Sequence, residues 1–273
     1  MVTHKLKFLY YNLQHDIDSS EEALRSGLSV PLSAYPISLS TFGEFFLWNA
    51  SDVIKIRMIY HICGQTANPG HLLSGKGNDS SSCKESQVNS LPIHLSLEEV
   101  TFLMSKGISR GLLVYHPQEN SYRPLILGQE SFESPSKLIS CLIGLTKKYS
   151  SPTQIENITL RVLLFLHLYD KFRGIYVTTC GAKLGGDFLL YTDDPLLVHA
   201  ERIIKLILLR EDEAECSDWL VKCRHKLATT VKKELTLAIV KRSGSLEGKV
   251  EFTLETLVPT IPVIRKKITN KEI

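Results

Sequence analysis

At 273 residues, with 43% hydrophobic and 22% charged side chains, the chain has the makeup of a soluble globular protein of one large or two smaller domains. A net charge of +3 is compatible with an anionic partner but far too weak to demonstrate one, so charge arguments must be local. The six cysteines (Cys63, Cys83, Cys141, Cys180, Cys216, Cys223) show neither C-x-x-C nor a Cys/His zinc spacing, which predicts reduced thiols in an intracellular chain without a metal site. The apolar run in "MVTHKLKFLYYNLQHD" breaks too early for a signal peptide, and "RVLLFLHLY" is too short to span a membrane.

Residues 1–40 mix serine, proline and charge and are expected to form an irregular extension, with a short capped helix as an option over "SSEEALRSG". A first α+β unit follows over 41–116. In it "FFLW" predicts a strand, Asn49 or Ser51 a helix cap, and Gly64 the helix stop. Residues 65–90, rich in Gly, Ser, Asn and Lys, predict a mobile loop. Then "LPIHL" predicts a strand, Ser96 followed by Glu98 and Glu99 a helix start, Gly107 its stop, and "RGLLVYH" another strand. Residues 117–155, with Pro, Ser and Lys around the apolar run "SKLISCLIGL", are expected to connect two domains and to contain one helix.

The second domain is expected over 156–260, with a basic tail at 261–273. "ITLRVLLFLHLYDKFRG" suits a helix ended by Gly174. "IYVTT" and "DFLLY" are predicted strands joined by the Gly-rich turn "CGAKLGG", and "ERIIKLILL" a third. "DEAECSDWLVKCRHKLATT" carries acids early and bases late, as a helix dipole prefers. "KKELTLAIV" and "KVEFTLETLV" complete the strands, the last of them compatible with a partner's sheet edge or with an internal position. The fold class that results is α+β: a small N-terminal α+β domain followed by a domain with a mixed β-sheet flanked by helices.

Three groups in the second domain carry potential chemistry: Tyr191, His199 eight residues on, and the pair Lys232–Lys233. Each alone is more simply a strand tyrosine, a loop histidine and an exposed basic edge. Together they suit RNA cleavage, in which the substrate's own 2′-hydroxyl is the nucleophile. That reaction needs a base for the 2′-proton, an acid for the departing 5′-oxygen, and a cation for the pentacoordinate phosphorane. Histidine, titrating near pH ~6.5, can supply the acid. Tyrosine, with an ordinary pKa of about 10, serves as base only where a cation favours its phenolate.

The stretch "KFRGIYVTTCGAKLGGDFLLYTDDPLLVHAERI" closely resembles the signature of the tRNA-splicing endonucleases, and "LATTVKKELTLAIV" resembles the same family's lysine block. The resemblance covers most of residues 160–257. It implies a restriction-endonuclease-like nuclease domain with Tyr191 as general base, His199 as general acid and Lys233 as the transition-state cation. The approach "Asp-Pro-Leu-x-x-His-Ala" to His199 looks more like the subunit that cuts the 3′ splice site, and "FFLWNASDV" and "LPIHLSLEEVTFLMSKG" resemble that subunit's N-terminal domain. Leu184 stands where the family's turn usually has an aromatic residue. Where the family often stacks an arginine on a bulged base, the matching position is Lys226, with Arg224 beside it and Lys232 next to the catalytic lysine.

The resemblance further implies intron-containing precursor tRNA as substrate, 2′,3′-cyclic phosphate and 5′-hydroxyl ends, no cofactor and a nuclear location. Its implied partners are a second catalytic and two structural subunits of a heterotetramer. Two other readings stand beside it. One is a metal-dependent nuclease using Asp187, Asp193, Asp194 and Glu234. The other is a non-catalytic scaffold subunit.

Overall fold

A computed structural model describes residues 37–66, 91–109, 111–209, 225–241 and 250–257. The chain divides into two compact units. The first is built from residues up to 178 together with 192–198, the second from 179–191 and from 199 onward.

In the first unit, β1 (Ile37–Leu39) and β2 (Phe45–Leu47) form an antiparallel pair, and α1 (Ala50–Met58) follows. Asn49 caps α1 by accepting from the N–H groups of Ser51 and Asp52, which would otherwise be orphaned at the helix start. Gly64, expected to stop this helix, lies beyond it. The helix ends at Met58 with Ile59 as its cap, and the Gly64 N–H donates to the carboxylate of Glu99 (3.0 Å). The short β3 (Gln65–Thr66) and β4 (Ile93–Leu95) pair antiparallel, and α2 (Leu97–Ser105) starts on a full capping box in which the Glu99 side chain reaches back to the Ser96 N–H (2.8 Å). Gly107, at φ +69°, ends it as expected. β5 (Leu112–His116) and β6 (Ser121–Leu125) complete a sheet of order β3-β4-β2-β1-β5-β6, in which only β1 and β5 run parallel.

One expectation about boundaries needs correction, and another is filled out. The strand β1 lies inside the stretch 1–40 that composition suggested was irregular; Ile37 and Leu39 are core residues. The stretch 117–155 carries the one helix expected of it, and more besides. It holds β6, a 3-10 turn (Gln129–Phe132), α3 (Pro135–Thr146) and the first residues of α4 (Pro152–Lys171). The Ser and Pro residues that resemble linker composition are helix-start chemistry: Ser134 and Ser151 cap their helices and Pro135 and Pro152 occupy the first helical positions. The apolar face of α3, Leu138, Ile139, Leu142 and Ile143, is buried.

The helix α4 packs with the first unit. Phe165 meets Phe102 of α2 edge-on, Tyr169 packs against the same ring at a tilt, and Arg161 pairs with Glu98 at 2.6 Å. The strand β7 (Tyr176–Thr178) follows the turn at Gly174. No helix among the described residues is long and apolar enough to cross a membrane.

The second unit contributes β8 (Phe188–Tyr191), β9 (Arg202–Leu209), β10 (Glu234–Lys241) and β11 (Thr253–Leu257), in the spatial order β11-β10-β9-β8. The pair β9–β10 is parallel and its two flanking pairs are antiparallel, giving the mixed sheet that the sequence predicts. Residues 225–230 are helical, and the earlier part of that expected helix lies outside the described residues, as do the option of a helix over "SSEEALRSG", most of the 65–90 loop and the basic tail. The core of this unit is built from Leu189, Ile203, Ile207, Leu235 and Leu237.

Candidate active site

The turn before β8 is shaped by close approach of backbone to backbone. A Cβ on Gly181 would lie 2.7 Å from the Phe188 nitrogen, and one on Gly186 would lie 2.4 Å from an Ile203 methyl. Glycine is needed at both because no side chain fits. Asp187 then locks the turn onto β9. Its carboxylate accepts from the Leu206 N–H (2.8 Å) and pairs with Lys205 (2.9 Å). The result is a fixed start for β8, and four residues later a fixed end, Tyr191.

Tyr191 is half-buried and packs against the apolar cluster of the sheet, so the packing role open to any strand tyrosine is real. The strand register also decides which residues share its end of the sheet. Strand β8 pairs with β9 through Leu190 and Arg202, and β9 pairs with β10 through Arg202 and Glu234. One step further along, Tyr191, Glu201 and Lys233 come to the same end of three adjacent strands. The backbone continues the pairing there: Glu201 N–H donates to Leu190 O (2.9 Å) and Glu234 N–H to Glu201 O (3.0 Å). His199, exposed, stands two residues before Glu201 at this same end.

The two lysines are separated in role by backbone geometry. The helical residues 225–230 end in a Schellman motif: Lys232 adopts φ +55°, its N–H donates to Thr229 O (3.1 Å), and the Lys233 N–H reaches back to Ala228 O (2.9 Å). Lys232 is therefore an exposed helix terminator. Lys233 turns the other way, half-buried, and its ammonium donates to the carbonyl of Ala200, the residue next to His199. That carbonyl is a contact no sequence pattern announces. Lys226 is exposed on the helical turns before this motif, and Arg224 lies outside the described residues.

Each of the four carboxylates of the metal reading is already engaged. Asp187 holds Lys205 and a backbone N–H; Asp194 accepts from Arg57 and from the Leu196 N–H; Asp193 accepts from the Asp194 N–H; Glu234 pairs with Arg202 at 2.6 Å. Among the described residues, no three His, Cys, Asp or Glu side chains converge as a metal-holding group.

Two family models match the chain. Residues 35–113 match a family model described as TSEN34-like, N-terminal domain, and residues 163–248 match one described as tRNA intron endonuclease, catalytic C-terminal domain. No individual curated protein matched the chain. The second match begins inside α4, a helix that packs with the first unit, so family boundary and compact unit do not coincide. It includes Tyr191, His199 and Lys233. The two models fall here in chain order and together span more than half of the sequence, and the chain belongs to the tRNA-splicing endonuclease family, carrying that family's catalytic domain.

Proposed function

We propose that the chain is the catalytic subunit that cuts precursor tRNA at the 3′ splice site, by acid–base transesterification without a metal ion. The observation that carries this reading is the strand register at one sheet end, with Tyr191 closing β8, Lys233 directly before β10, and the Lys233 ammonium on the carbonyl beside His199. The 2′-hydroxyl proton passes to the Tyr191 phenolate. The freed oxygen attacks phosphorus while the bond to the 5′-oxygen breaks, and His199 delivers a proton to that leaving oxygen. Lys233 offsets the charge that builds on the phosphorane, and its contact with a neutral carbonyl orients the ammonium without cancelling its charge. The products are a 2′,3′-cyclic phosphate and a 5′-hydroxyl.

Assignment to the 3′ boundary rests on the approach "DPLLVHA" to His199 and on the match of the N-terminal region to the TSEN34-like model. The expected setting is a nuclear heterotetramer with a second catalytic and two structural subunits, in which RNA shape and splayed bases guide the cut. Lys226, exposed and close in sequence to the lysine block, is the candidate for contact with the RNA backbone. The engaged state of Asp187, Asp193, Asp194 and Glu234 favours the acid–base reading over the metal-dependent one.

The test is end-group mapping after cleavage by the assembled complex in excess EDTA. Cyclic phosphate and 5′-hydroxyl ends at an undiminished rate support the reading. Loss of cleavage in EDTA, or 5′-phosphate ends, transfers the assignment to the metal-dependent alternative.

A further inference from the structure

Tyr191 and His199 are tethered by the segment 192–198, and its path decides where the imidazole stands. Both of its ends are fixed: β8 holds Tyr191, and the Glu201 N–H is tied to Leu190 O (2.9 Å). Between them one residue organises the turn. Asp194 accepts through Oδ1 from the Leu196 N–H (2.8 Å) and through its carbonyl from the N–H groups of Leu197 (2.8 Å) and Val198 (3.1 Å). The turn therefore goes where Asp194 goes.

Asp194 is itself held from outside the segment. Arg57, in the last turn of α1, grips its carboxylate in a two-pronged contact, Nε to Oδ2 at 2.7 Å and Nη2 to Oδ1 at 2.6 Å. Only a planar guanidinium gives both bonds at once, so this contact fixes direction as well as distance. Both side chains are less than a fifth exposed. Burial opposes the charge on each, but the mutual hydrogen bonds and charges outweigh it: Arg57 is held above its ordinary pKa and Asp194 below its own. Burial lowers the pKa of His61, against the opposing effect of Asp193 and Asp194.

We propose that Arg57 is a positioning residue for catalysis: its grip on Asp194 sets the course of the 192–198 turn and thereby the placement of His199 as the proton donor. The inference rests on the assignment of His199 as general acid. It gives the N-terminal region a part in the chemistry that its own strands and helices, which carry none of the three reacting groups, would not suggest.

The test uses the assembled complex, single-turnover conditions and two substrates. One carries the natural phosphodiester at the 3′ boundary. The other carries sulfur in place of the bridging 5′-oxygen, a leaving group that departs as a thiolate and needs no proton. Arg57→Ala is expected to lower the rate on the oxygen substrate about 10- to 100-fold, as small misplacements of a reacting group do, and to cleave the sulfur substrate near the wild-type rate, with RNA affinity unchanged. His199→Ala should behave in the same way with a deeper loss, and Lys233→Ala should stay slow on both substrates. Arg57→Lys, which keeps the charge and loses the two-pronged geometry, serves where Arg57→Ala fails to fold, and is expected to show the same substrate pattern with a smaller loss. Wild-type rates in the Arg57 variants, or equal slowing on both substrates while His199→Ala is rescued by sulfur, overturn the positioning role alone. Failure of sulfur to rescue His199→Ala overturns the acid assignment, and this inference falls with it.

Discussion

The buried carboxylates of the first unit and the cations at the sheet end of the second are completed in opposite ways. In the first unit Glu99 is almost wholly buried, and its two oxygens accept from the Gly64 and Ser96 N–H groups (3.0 and 2.8 Å), while its neighbour Glu98 meets Arg161 at 2.6 Å. These groups are closed off by the chain's own donors and hold α2 against its surroundings. At the sheet end of the second unit, His199 faces solvent and the Lys233 ammonium rests on a neutral carbonyl. A carboxylate matched by donors is spent on the fold; a cation oriented by a carbonyl keeps its charge, as the role proposed for Lys233 at a phosphate requires.

The sharpest way to break that contrast is to remove the groups on the reacting side. His199→Ala is expected to lower cleavage by about 10² to 10⁴, and Lys233→Ala by about 10² to 10³, in single-turnover assays. The exposed His199 should contribute little to stability, within about 0.5 kcal/mol by thermal melting, so a large loss of stability in His199→Ala would erase the distinction.

On the structural side, burial raises the Glu99 carboxyl from its ordinary 4.5 to about 7, against the opposing effect of its hydrogen bonds. Between those two values the folded state binds a proton that the unfolded state has already released. Stability from this group is therefore full below the lower value and is lost as pH rises through about 7, a fall of up to about 3 kcal/mol. Glu99→Gln should flatten this fall in denaturant titrations run from pH 4.5 to 8. Identical pH profiles for the two proteins would count against it.

A smaller effect, on the frame that carries Tyr191, is expected from Gly181→Ala. The new methyl meets the backbone of Asp187 and Phe188 at 2.7 to 2.8 Å, atoms that cannot swing aside, so a loss of about 1–3 kcal/mol is expected along with slower cleavage. An unchanged unfolding midpoint would show that the turn yields more easily than its geometry indicates. The smallest effect is assigned to Lys226→Ala. It should weaken RNA binding and reduce the salt slope by less than one unit, about 0.7 for a single-strand phosphate contact, with the rate at saturating substrate unchanged.

Local signals were well legible in the sequence. The cap at Ser96, one of the two candidate caps at Asn49 and Ser51, the stop at Gly107, and the strands around the Gly-rich turn and after the lysine pair all depend on residues within a few positions of one another, and the structure has them. The stretch from 117 to 155 gave up its helix through the apolar run but not its further elements, because Ser-Pro pairs are shared by linkers and helix starts. Gly64 misled because its real partner, Glu99, lies on another element. The three candidate residues were legible in the sequence, and their arrangement was not. What joins Lys233 to the neighbourhood of His199 is a backbone carbonyl, and what holds the turn between Tyr191 and His199 is an arginine 137 residues away from Asp194. Neither carbonyls nor such long separations leave a pattern in a single sequence.

The measurement that bears most directly on the central claim is boundary mapping of precursor tRNA cleavage by complexes assembled with wild-type chain and with His199→Ala, side by side. The account predicts that wild type cuts both intron boundaries and that the variant retains the 5′ cut and loses the 3′ cut. Undiminished 3′ cleavage by His199→Ala would contradict it, and would leave the convergence of Tyr191, His199 and Lys233 as a feature of the sheet rather than of the reaction.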